Sequence, residues 1–398
     1  MSEKTNTAII KVVGVGGSGT NSINNMINSD LSGAEFIVAN TDKQALDASP
    51  ALVKLHLGAD NENSTSARGL GAGANPQVGE EAAQSSIAEI KQALKGADMV
   101  IITAGMGGGT GTGAAPVFAE IAKSLGILVV AIVTTPFIFE GNKRKNNALE
   151  GIAKLSQKVD SIITISNEKL LEQYGDVPMN DSFVFADTIL KLTVKTLTDI
   201  ISAPAHINLD FADVKTVMSN KGNAIIGMGR AVGEDRATKA AIHAISSPII
   251  ETSIKGATDA IVNISGANIT LKEINTAVSV ITQAVGEDCN IIFGTSMDNN
   301  AGDDIYVSVI ATGIKSNQVL STMEKSEEIK ELIKTMEIDL ENKNTKEFLF
   351  DEPLPLTEKL SLTSKFVNNI SLTSETKTKT VQEDGHKSKL PSWFSKKN

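Results

Sequence analysis

One glycine-rich run constrains the fold of this chain more than any other stretch. Residues 105–113 read Gly-Met-Gly-Gly-Gly-Thr-Gly-Thr-Gly, between the strand pattern of residues 99–103 and a helix whose first turn is predicted to hold Pro116. Glycines let backbone N–H groups converge on an anion, and a helix start adds unpaired donors and a positive dipole. The run therefore predicts a phosphate-binding loop, because the alternative of an idle flexible turn does not require six glycines.

A second glycine segment repeats this arrangement nearer the start of the chain. Residues 14–21 follow a predicted strand at 8–13 and precede a helical pattern. Further strands are predicted at residues 35–39, 127–133 and 161–165, with a long loop at 58–79 and helices at 80–95 and 146–158. Alternating strands and helices indicate a parallel sheet covered on both faces, with ligands beyond the carboxyl ends of its strands. We therefore expect both glycine segments to face one ligand.

These segments alone leave three alternatives for the ligand and its use. Gly14, Gly16 and Gly19 match the dinucleotide fingerprint, and Asp42 lies where a ribose-binding acid belongs, so an NAD-dependent oxidoreductase is one alternative. Two glycine segments that converge on one ligand, however, suit a longer phosphate chain than a single pyrophosphate. The chain has no Gly-Lys dipeptide and hence no Walker A motif, so backbone amides would hold the phosphates, with Mg²⁺ neutralising part of their charge. A third alternative is a scaffold that binds nucleotide without hydrolysing it.

Composition excludes several other classes. The net charge of −10 and the pI of about 5.1 argue against nucleic-acid binding. The single Cys289 excludes an internal disulfide framework and is typical of a reducing compartment. The start of the chain does not resemble a signal peptide, and no apolar run reaches membrane-spanning length. We therefore expect a cytosolic protein without direct membrane insertion.

Beyond the first sheet, the pattern predicts a long helix at 181–203 and a short loop at 208–214 that carries Asn208, Asp210 and Asp213. Two acids in that apolar setting must be solvated or functional. Strands predicted at residues 223–228, 260–264, 289–293 and 305–311, and helices at 234–245 and 271–285, indicate a second α/β domain.

The amino-acid composition of the chain changes near residue 315. Residues 329, 333, 336 and 340 (Ile, Ile, Met and Leu) align as one face of a short amphipathic helix, and beyond them residues 341–386 read as a disordered linker. Trp393 and Phe394 then lie among lysines, far from any core. Exposed aromatic anchors on a tether are typical of a short docking peptide, the alternative being a frayed terminus.

Four motifs together resemble the FtsZ family, the bacterial tubulin-like GTPases of cell division. They are the glycine run at 105–113, Arg68 to Gly73, Phe139-Glu140-Gly141 with Arg144, and Asn208 to Ser219. The resemblance covers about residues 8–313 and implies an α/β, tubulin-like fold: a Rossmann-like parallel-sheet GTPase domain, a central helix, a smaller α/β domain and a disordered tail. The corresponding divisions are a flexible N-terminus (1–7), the GTP-binding domain (8–180), the central helix (181–203), the C-terminal domain (204–314), a linker (315–386) and a docking peptide (387–398).

The resemblance also implies GTP or GDP as ligand, with Mg²⁺ carried by the nucleotide and no dedicated protein ligand for the metal. The phosphates would rest on two groups of residues, Gly17, Ser18, Gly19, Thr20 and Asn21, and Gly107, Gly108, Gly109, Thr110, Gly111 and Thr112. Glu140 would contact the ribose and Arg144 the phosphates. Phe183 would stack on guanine, while Asn167 and Asp187 would also contact the nucleotide.

In the family, the acids act on the nucleotide of the next subunit. The resemblance thus implies head-to-tail homopolymer filaments that form the cytokinetic ring, with Asp210, Asp213 and Asn208 as catalytic residues supplied in trans. It also implies division regulators as partners, and FtsA- or ZipA-type membrane-anchored adaptors that bind the terminal peptide. The expected location is the cytoplasm, at the mid-cell ring under the inner membrane.

Overall fold

The computed structural model describes residues 8–59, 66–174, 179–202, 210–247, 253–297 and 301–314. Within them the strands are β1 (Ile10–Val15), β2 (Glu35–Asn40), β3 (Val53–His56), β4 (Met99–Gly105), β5 (Leu128–Thr135), β6 (Ser161–Ser166), β7 (Gly222–Ala231), β8 (Asp259–Gly266), β9 (Asn290–Met297) and β10 (Ile305–Thr312). The helices are α1 (Gly16–Asn28), α2 (Lys43–Asp47), α3 (Pro76–Ser85), α4 (Ile87–Leu94), α5 (Thr110–Ser124), α6 (Asn142–Ser156), α7 (Asn167–Tyr174), α8 (Met179–Ser202), α9 (Phe211–Met218), α10 (Arg236–Ile245) and α11 (Leu271–Val285), with a 3₁₀ turn at Ile138–Glu140.

The described strands form one sheet in the order β3-β2-β1-β4-β5-β6-β7-β10-β8-β9. Pairing is parallel from β3 to β7, antiparallel on both sides of β10, and parallel again between β8 and β9. The predicted α/β class with a mostly parallel sheet is therefore confirmed. The second group of strands continues the first sheet through a short β6–β7 ladder, a continuity that the sequence does not predict.

The central strands are buried on both faces, as their continuous apolar runs predict. Successive residues of β4 enter opposite cores: Met99 and Ile101 pack with α1 and α8, whereas Val100 and Ile102 pack with α4 and α5. A third apolar cluster lies between β7–β10 and the helices α10 and α11. The sheet thus fixes the carboxyl ends of β1, β4 and β5 along one edge.

Several helix boundaries differ from the sequence predictions. Helix α5 begins at Thr110, so Pro116 lies inside the helix and not in its first turn. The cause is packing: a Cβ on Gly113 would lie 1.9 Å from the Pro76 carbonyl oxygen, so α3 and α5 approach closely only along a helical glycine face. Tertiary contact here overrides the low helix propensity of glycine.

Other elements also differ from the predictions: two helices begin earlier, one is divided, and three elements were not predicted. Helix α3 begins at Pro76, inside the predicted loop 58–79, because Asn75 caps it by accepting from the Gln77 N–H at 3.1 Å. The predicted helix 80–95 is divided between α3 and α4 at Ser86. Helix α6 begins at Asn142, so that Arg144 lies on a helix. The elements β3, α2 and α7 have no counterpart among the predictions.

The predicted amphipathic helix around residues 329–340, the linker and the terminal peptide all lie outside the described residues. Across the part of the chain that the structure describes, no helix combines the length and apolarity needed to cross a bilayer.

Candidate nucleotide site

A cavity of about 490 Å³ lies at the carboxyl ends of β1, β4 and β5. Both glycine segments contribute to its wall, together with the end of β5 and the start of α7. Residues predicted to bind the nucleotide that line this cavity are Gly17, Ser18, Asn21, Gly108, Gly109, Thr110, Gly111, Glu140, Arg144, Asn167 and Asp187. The structure therefore brings the two predicted cradles together around one space.

Helices α1 and α5 both begin at this cavity. Gly16, with a φ of +76°, turns the chain directly from β1 into α1, and a Cβ there would lie 2.7 Å from the Gly111 nitrogen. Neither helix has a side-chain cap, and neither has an acidic residue in its first turn. First-turn N–H groups of two helices, uncompensated by side-chain charge, favour an anion at this position.

Two glycines leave space for a ligand at that position. Cβ atoms added to Gly17 or Gly108 would meet nothing within 4 Å. Both residues line the cavity, so their missing side chains keep it open. A phosphate group can therefore approach the backbone of both helix starts.

Four predicted contacts do not line the cavity. Gly19 packs against β4, where a Cβ would lie 2.6 Å from the Thr103 oxygen, and Thr20 is buried beside it. Thr112 is buried and its Oγ1 accepts from the Gly107 N–H at 2.8 Å, so this pair fixes the shape of the glycine run. These residues hold the backbone of the cradle and do not face its interior.

Asp187 is the most perturbed titratable group at the cavity. Its two carboxylate oxygens accept from Ser22 Oγ at 2.6 Å and from Asn25 Nδ2 at 3.2 Å, both on α1. Burial raises the pKa of Asp187 to about 6, against the lowering effect of the Ser22 hydrogen bond. The carboxylate is thus held by α1 and remains mostly ionised at neutral pH.

Among the other polar residues that line the cavity, Arg144 and Glu140 form hydrogen bonds within the protein, whereas one atom of Asn167 does not. Arg144 Nη1 donates to Glu140 Oε2 at 2.5 Å, and Glu140 Oε1 accepts from the Phe137 N–H at 2.9 Å. Asn167 is buried, and its Oδ1 has no hydrogen-bond partner within the described residues. An unsatisfied buried acceptor at a cavity wall indicates a place where a ligand donates.

The two described acids of the 208–213 motif lie elsewhere. Asp210 is the N-cap of α9, and its Oδ1 accepts from the Asp213 N–H at 2.9 Å. The predicted short loop is therefore wrong for this stretch, since Asp213 lies in the first turn of a helix. Both acids are exposed, and neither lines the cavity. Asn208 and the side chain of Phe183 lie outside the described part of the chain.

Sequence reasoning missed several lining residues. Ala74, Thr134, Thr135, Pro136 and Ala186 lie outside every segment predicted to bind the ligand. Val15, Gly105 and Met106 lie in the two predicted glycine segments and Ala72 lies in the Arg68–Gly73 motif, but none of the four is singled out there as a contact. Thr134 and Thr135 end β5, the neighbour of β4, so the rule that ligands lie at strand ends points to them. Ala72 and Ala74 carry no such signal, because only the tertiary fold brings their loop over the glycine run.

Comparison with known proteins decides the family. The GTPase-domain model of the Tubulin/FtsZ family matches residues 9–175, and the C-terminal-domain model of the FtsZ family matches residues 222–315. The chain is 63% identical over 360 residues to the cell division protein FtsZ of Mycoplasmopsis pulmonis (strain UAB CTIP), covering 90% of this chain and 91% of that relative. The chain belongs to the FtsZ family. As an FtsZ-family member it is a GTP-hydrolysing, filament-forming protein of cell division, which excludes the dehydrogenase alternative.

Solved structures agree with the FtsZ assignment. An empty FtsZ dimer from M. jannaschii is 42% identical, covers 79% of this chain and 90% of its own, and superposes with a TM-score of 0.74. CetZ2 from Haloferax volcanii, solved as a GTPγS-bound protofilament, is 21% identical with a TM-score of 0.65, covering 82% of this chain and 99% of its own. The second likeness shows the shared fold alone.

Proposed function

We propose that this FtsZ-family chain binds GTP in the 490 Å³ cavity and hydrolyses it with acids supplied by the next subunit of a head-to-tail filament. The observation that carries this proposal is the separation of Asp210 and Asp213 from the cavity lining. A contact that joins one end of a molecule to the other end of its copy does not close on itself and extends as a filament. Such filaments would form the division ring at mid-cell, in the cytoplasm under the inner membrane.

The cradle determines where the phosphates lie. The uncapped first turns of α1 and α5 offer backbone donors, and the open faces of Gly17 and Gly108 admit the phosphate chain. Arg144, at the cavity wall, adds positive charge that is partly neutralised by Glu140. Backbone amides thus replace the lysine of a Walker A loop in this chain.

Other residues of the cavity lining would select the base. A carboxylate accepts from two adjacent donors, so Asp187 matches the N1–H and 2-amino groups of guanine. Asn167 supplies an acceptor without a partner in the described structure. Glu140, which lines the same cavity, would contact the ribose, and stacking by Phe183 remains a prediction.

Mg²⁺ would enter this site together with the nucleotide. Within the described residues no group of three His, Cys, Asp or Glu side chains is placed to hold a metal ion. As the family resemblance implies, phosphate oxygens and water would be its ligands, and the ion would supply charge neutralisation on the β- and γ-phosphates. The first turns of α1 and α5 would orient the phosphate chain to which it is bound.

The acids would act on the attacking water. Exposed carboxylates at the start of α9 can accept a hydrogen bond from water and orient it toward the γ-phosphate of the neighbouring subunit. Asn208, beside them in sequence, would complete the group. Hydrolysis then follows assembly, which couples filament lifetime to GTP turnover.

Asp210→Asn tests the catalytic role without removing the helix cap, because asparagine caps helices as well as aspartate does. We expect GTP binding and filament formation to persist while steady-state phosphate release falls by at least tenfold. Glu89→Gln, an exposed acid on α4, is the matched control and should leave turnover unchanged. Full turnover in Asp210→Asn would exclude the role, and loss of GTP binding would place the residue in the cradle instead.

The terminal peptide would connect filaments to membrane-anchored adaptors of the FtsA or ZipA type, with other division regulators as further partners. Residues 387–398 hold Trp393 and Phe394 among lysines. Deleting these twelve residues should leave GTP turnover intact and abolish adaptor binding in a pull-down with purified adaptor. Trp393→Ala is the point variant for the same measurement, and retained binding in both variants would refute the docking proposal.

A further inference from the structure

A second cavity, of about 620 Å³, lies beside the nucleotide cavity and shares only the wall formed by Thr135 and Pro136 with it. The remaining wall comes from α6, the 3₁₀ turn, β6 and β7. Its apolar lining includes Leu149, Ile152, Ile162, Ile225, Ile226 and Ile314. None of the residues proposed to contact GTP belongs to this lining, so the nucleotide does not account for the cavity.

The rim of this cavity exposes apolar surface. Leu149 is 58% exposed and Ile138 is 61% exposed, although both are large aliphatic side chains. A concave apolar site with exposed aliphatic residues at its edge is typical of a surface that another apolar group covers. Lys145 of α6 and Glu168 of α7 also line the cavity, so its charged groups are one of each sign and most of its remaining lining is apolar.

The chain itself leaves the described structure at this cavity. Ile314, the last described residue, forms part of the wall, so residues 315 onward start at the groove. The sequence between 326 and 341 repeats apolar residues at helical spacing: Ile329, Leu332, Ile333, Met336 and Leu340. The same stretch holds six acidic residues and two lysines, so the face away from the apolar residues is predominantly acidic.

We propose that residues 326–341 dock as an amphipathic helix into this cavity of their own subunit. The apolar face at 329, 332, 333, 336 and 340 would cover Leu149 and Ile138, in the manner of a helix in a groove, with the acidic residues on the face away from the cavity. Fourteen residues separate Ile314 from Ile329 and reach about 45 Å when extended, ample for the return. A tether of this length gives an effective concentration on the order of millimolar, so a weak contact suffices.

Disulfide trapping in the full chain tests the contact directly. Cys289 is the only cysteine, so Cys289→Ser provides the background for the pair Leu149→Cys and Ile333→Cys. With GDP and dilute protein, mild oxidation should give a crosslinked monomer. The matched control replaces Ile333→Cys with Glu331→Cys, which lies on the opposite face of the predicted helix and should crosslink at least tenfold less. Equal crosslinking of both pairs, or none, would overturn the proposal.

Amide exchange supplies the second measurement. Residues 326–341 should exchange at least tenfold more slowly in the full chain than in the isolated peptide. Leu149→Glu should remove that protection, and the exposure of Leu149 means that this change leaves the fold intact. Unprotected amides in the wild-type chain would overturn the docking. Crosslinked dimers without crosslinked monomers would assign the groove to the segment of a second copy and would likewise overturn docking within one subunit.

Discussion

Asp187 is the titratable residue of the nucleotide cavity whose pKa the fold alters most. The carboxylate lies between Ser22 and Asn25 of α1 and has a pKa of about 6, because burial opposes its charge more than the Ser22 hydrogen bond supports it. A folded pKa above the unfolded value of 3.8 means that the ionised form is less favourable in the folded chain. The proposed guanine contact is therefore maintained at a cost in stability.

We expect Asp187→Asn to raise the free energy of unfolding at pH 7.5 by about 2 kcal/mol, because the buried charge is lost. Wild-type stability from this group is fully present below pH 4 and is lost as pH rises through about 6. The gain should therefore disappear at pH 4, as measured by denaturant titration at both pH values. GTP affinity should fall with the same change, since an amide offers only one acceptor. A variant less stable than wild type at pH 7.5 would contradict the pKa assignment.

Alanine substitutions at Gly17 and Gly19 should have opposite effects on stability, although the two residues are only two positions apart on α1. A Cβ on Gly17 enters the open cavity, whereas a Cβ on Gly19 meets the Thr103 oxygen at 2.6 Å. Gly17→Ala should keep or raise stability, by up to about 1 kcal/mol from helix propensity, while weakening GTP binding about tenfold. Gly19→Ala should destabilise the fold by about 2 kcal/mol or more. Thermal unfolding and nucleotide titration separate the two effects, and equal losses of stability in both variants would contradict the positions described.

At the scale of elements, the start of α11 is tied to the start of α10. Glu273 forms a capping box with Thr270, and Arg236 Nε donates to Glu273 Oε1 at 2.6 Å while its other nitrogens reach the Asp303 and Asn268 carbonyls. The Arg236 hydrogen bond, more than any other contact, lowers the pKa of Glu273 to about 2. One carboxylate thus caps its helix and also connects it to the neighbouring helix.

Glu273→Gln should cost about 1 kcal/mol of unfolding free energy at pH 7, a modest value because the pair is partly screened by solvent. Because the folded pKa is depressed, the wild-type advantage is present above pH 4.5 and declines as pH falls toward 2. Denaturant titrations at pH 7 and pH 3 check this convergence. Glu287→Gln, an exposed acid just beyond α11, should show no difference at either pH, and a pH-independent loss in Glu273→Gln would indicate the cap alone.

Elements also show what the sequence could and could not predict. The buried strands β4 and β5 follow from apolar runs, which depend on local pattern and two-sided burial. The early starts of α1 and α5 cannot be predicted from local pattern, because glycine is a poor helix former. They depend on close tertiary contacts, of Gly16 with Gly111 in α1 and of Gly113 with Pro76 in α5. At the site, Gly17 and Gly108 could be predicted from the motif. The lining by Ala72 and Ala74 depends on a loop crossing that no local pattern encodes.

At the scale of the whole molecule, the nucleotide cavity and the end of α9 lie at different ends of the parallel strands. The cavity lies at the carboxyl ends of β1, β4 and β5. Met218, the last residue of α9, lies at the amino end of β6, where its carbonyl accepts from Ser161 Oγ at 2.6 Å. In a parallel sheet the carboxyl ends of the strands all lie on one side and the amino ends on the opposite side. One subunit thus has its cavity on one side of the sheet and the end of α9, the helix whose first turn carries the exposed acids, on the other, an arrangement that is compatible with the proposed shared active site.

This polarity predicts that turnover depends on protein concentration more steeply than binding does. Below the assembly threshold each cavity should fill with GTP while phosphate release per subunit falls at least tenfold, because no neighbour supplies Asp210 and Asp213. Above the threshold, the rate per subunit should reach a plateau as light scattering rises. Mixing wild type with Asp210→Asn at fixed total concentration should lower turnover in proportion to the variant fraction, since each variant disables one neighbour's cavity. An unchanged rate per subunit across the threshold would show that a single chain holds the complete site.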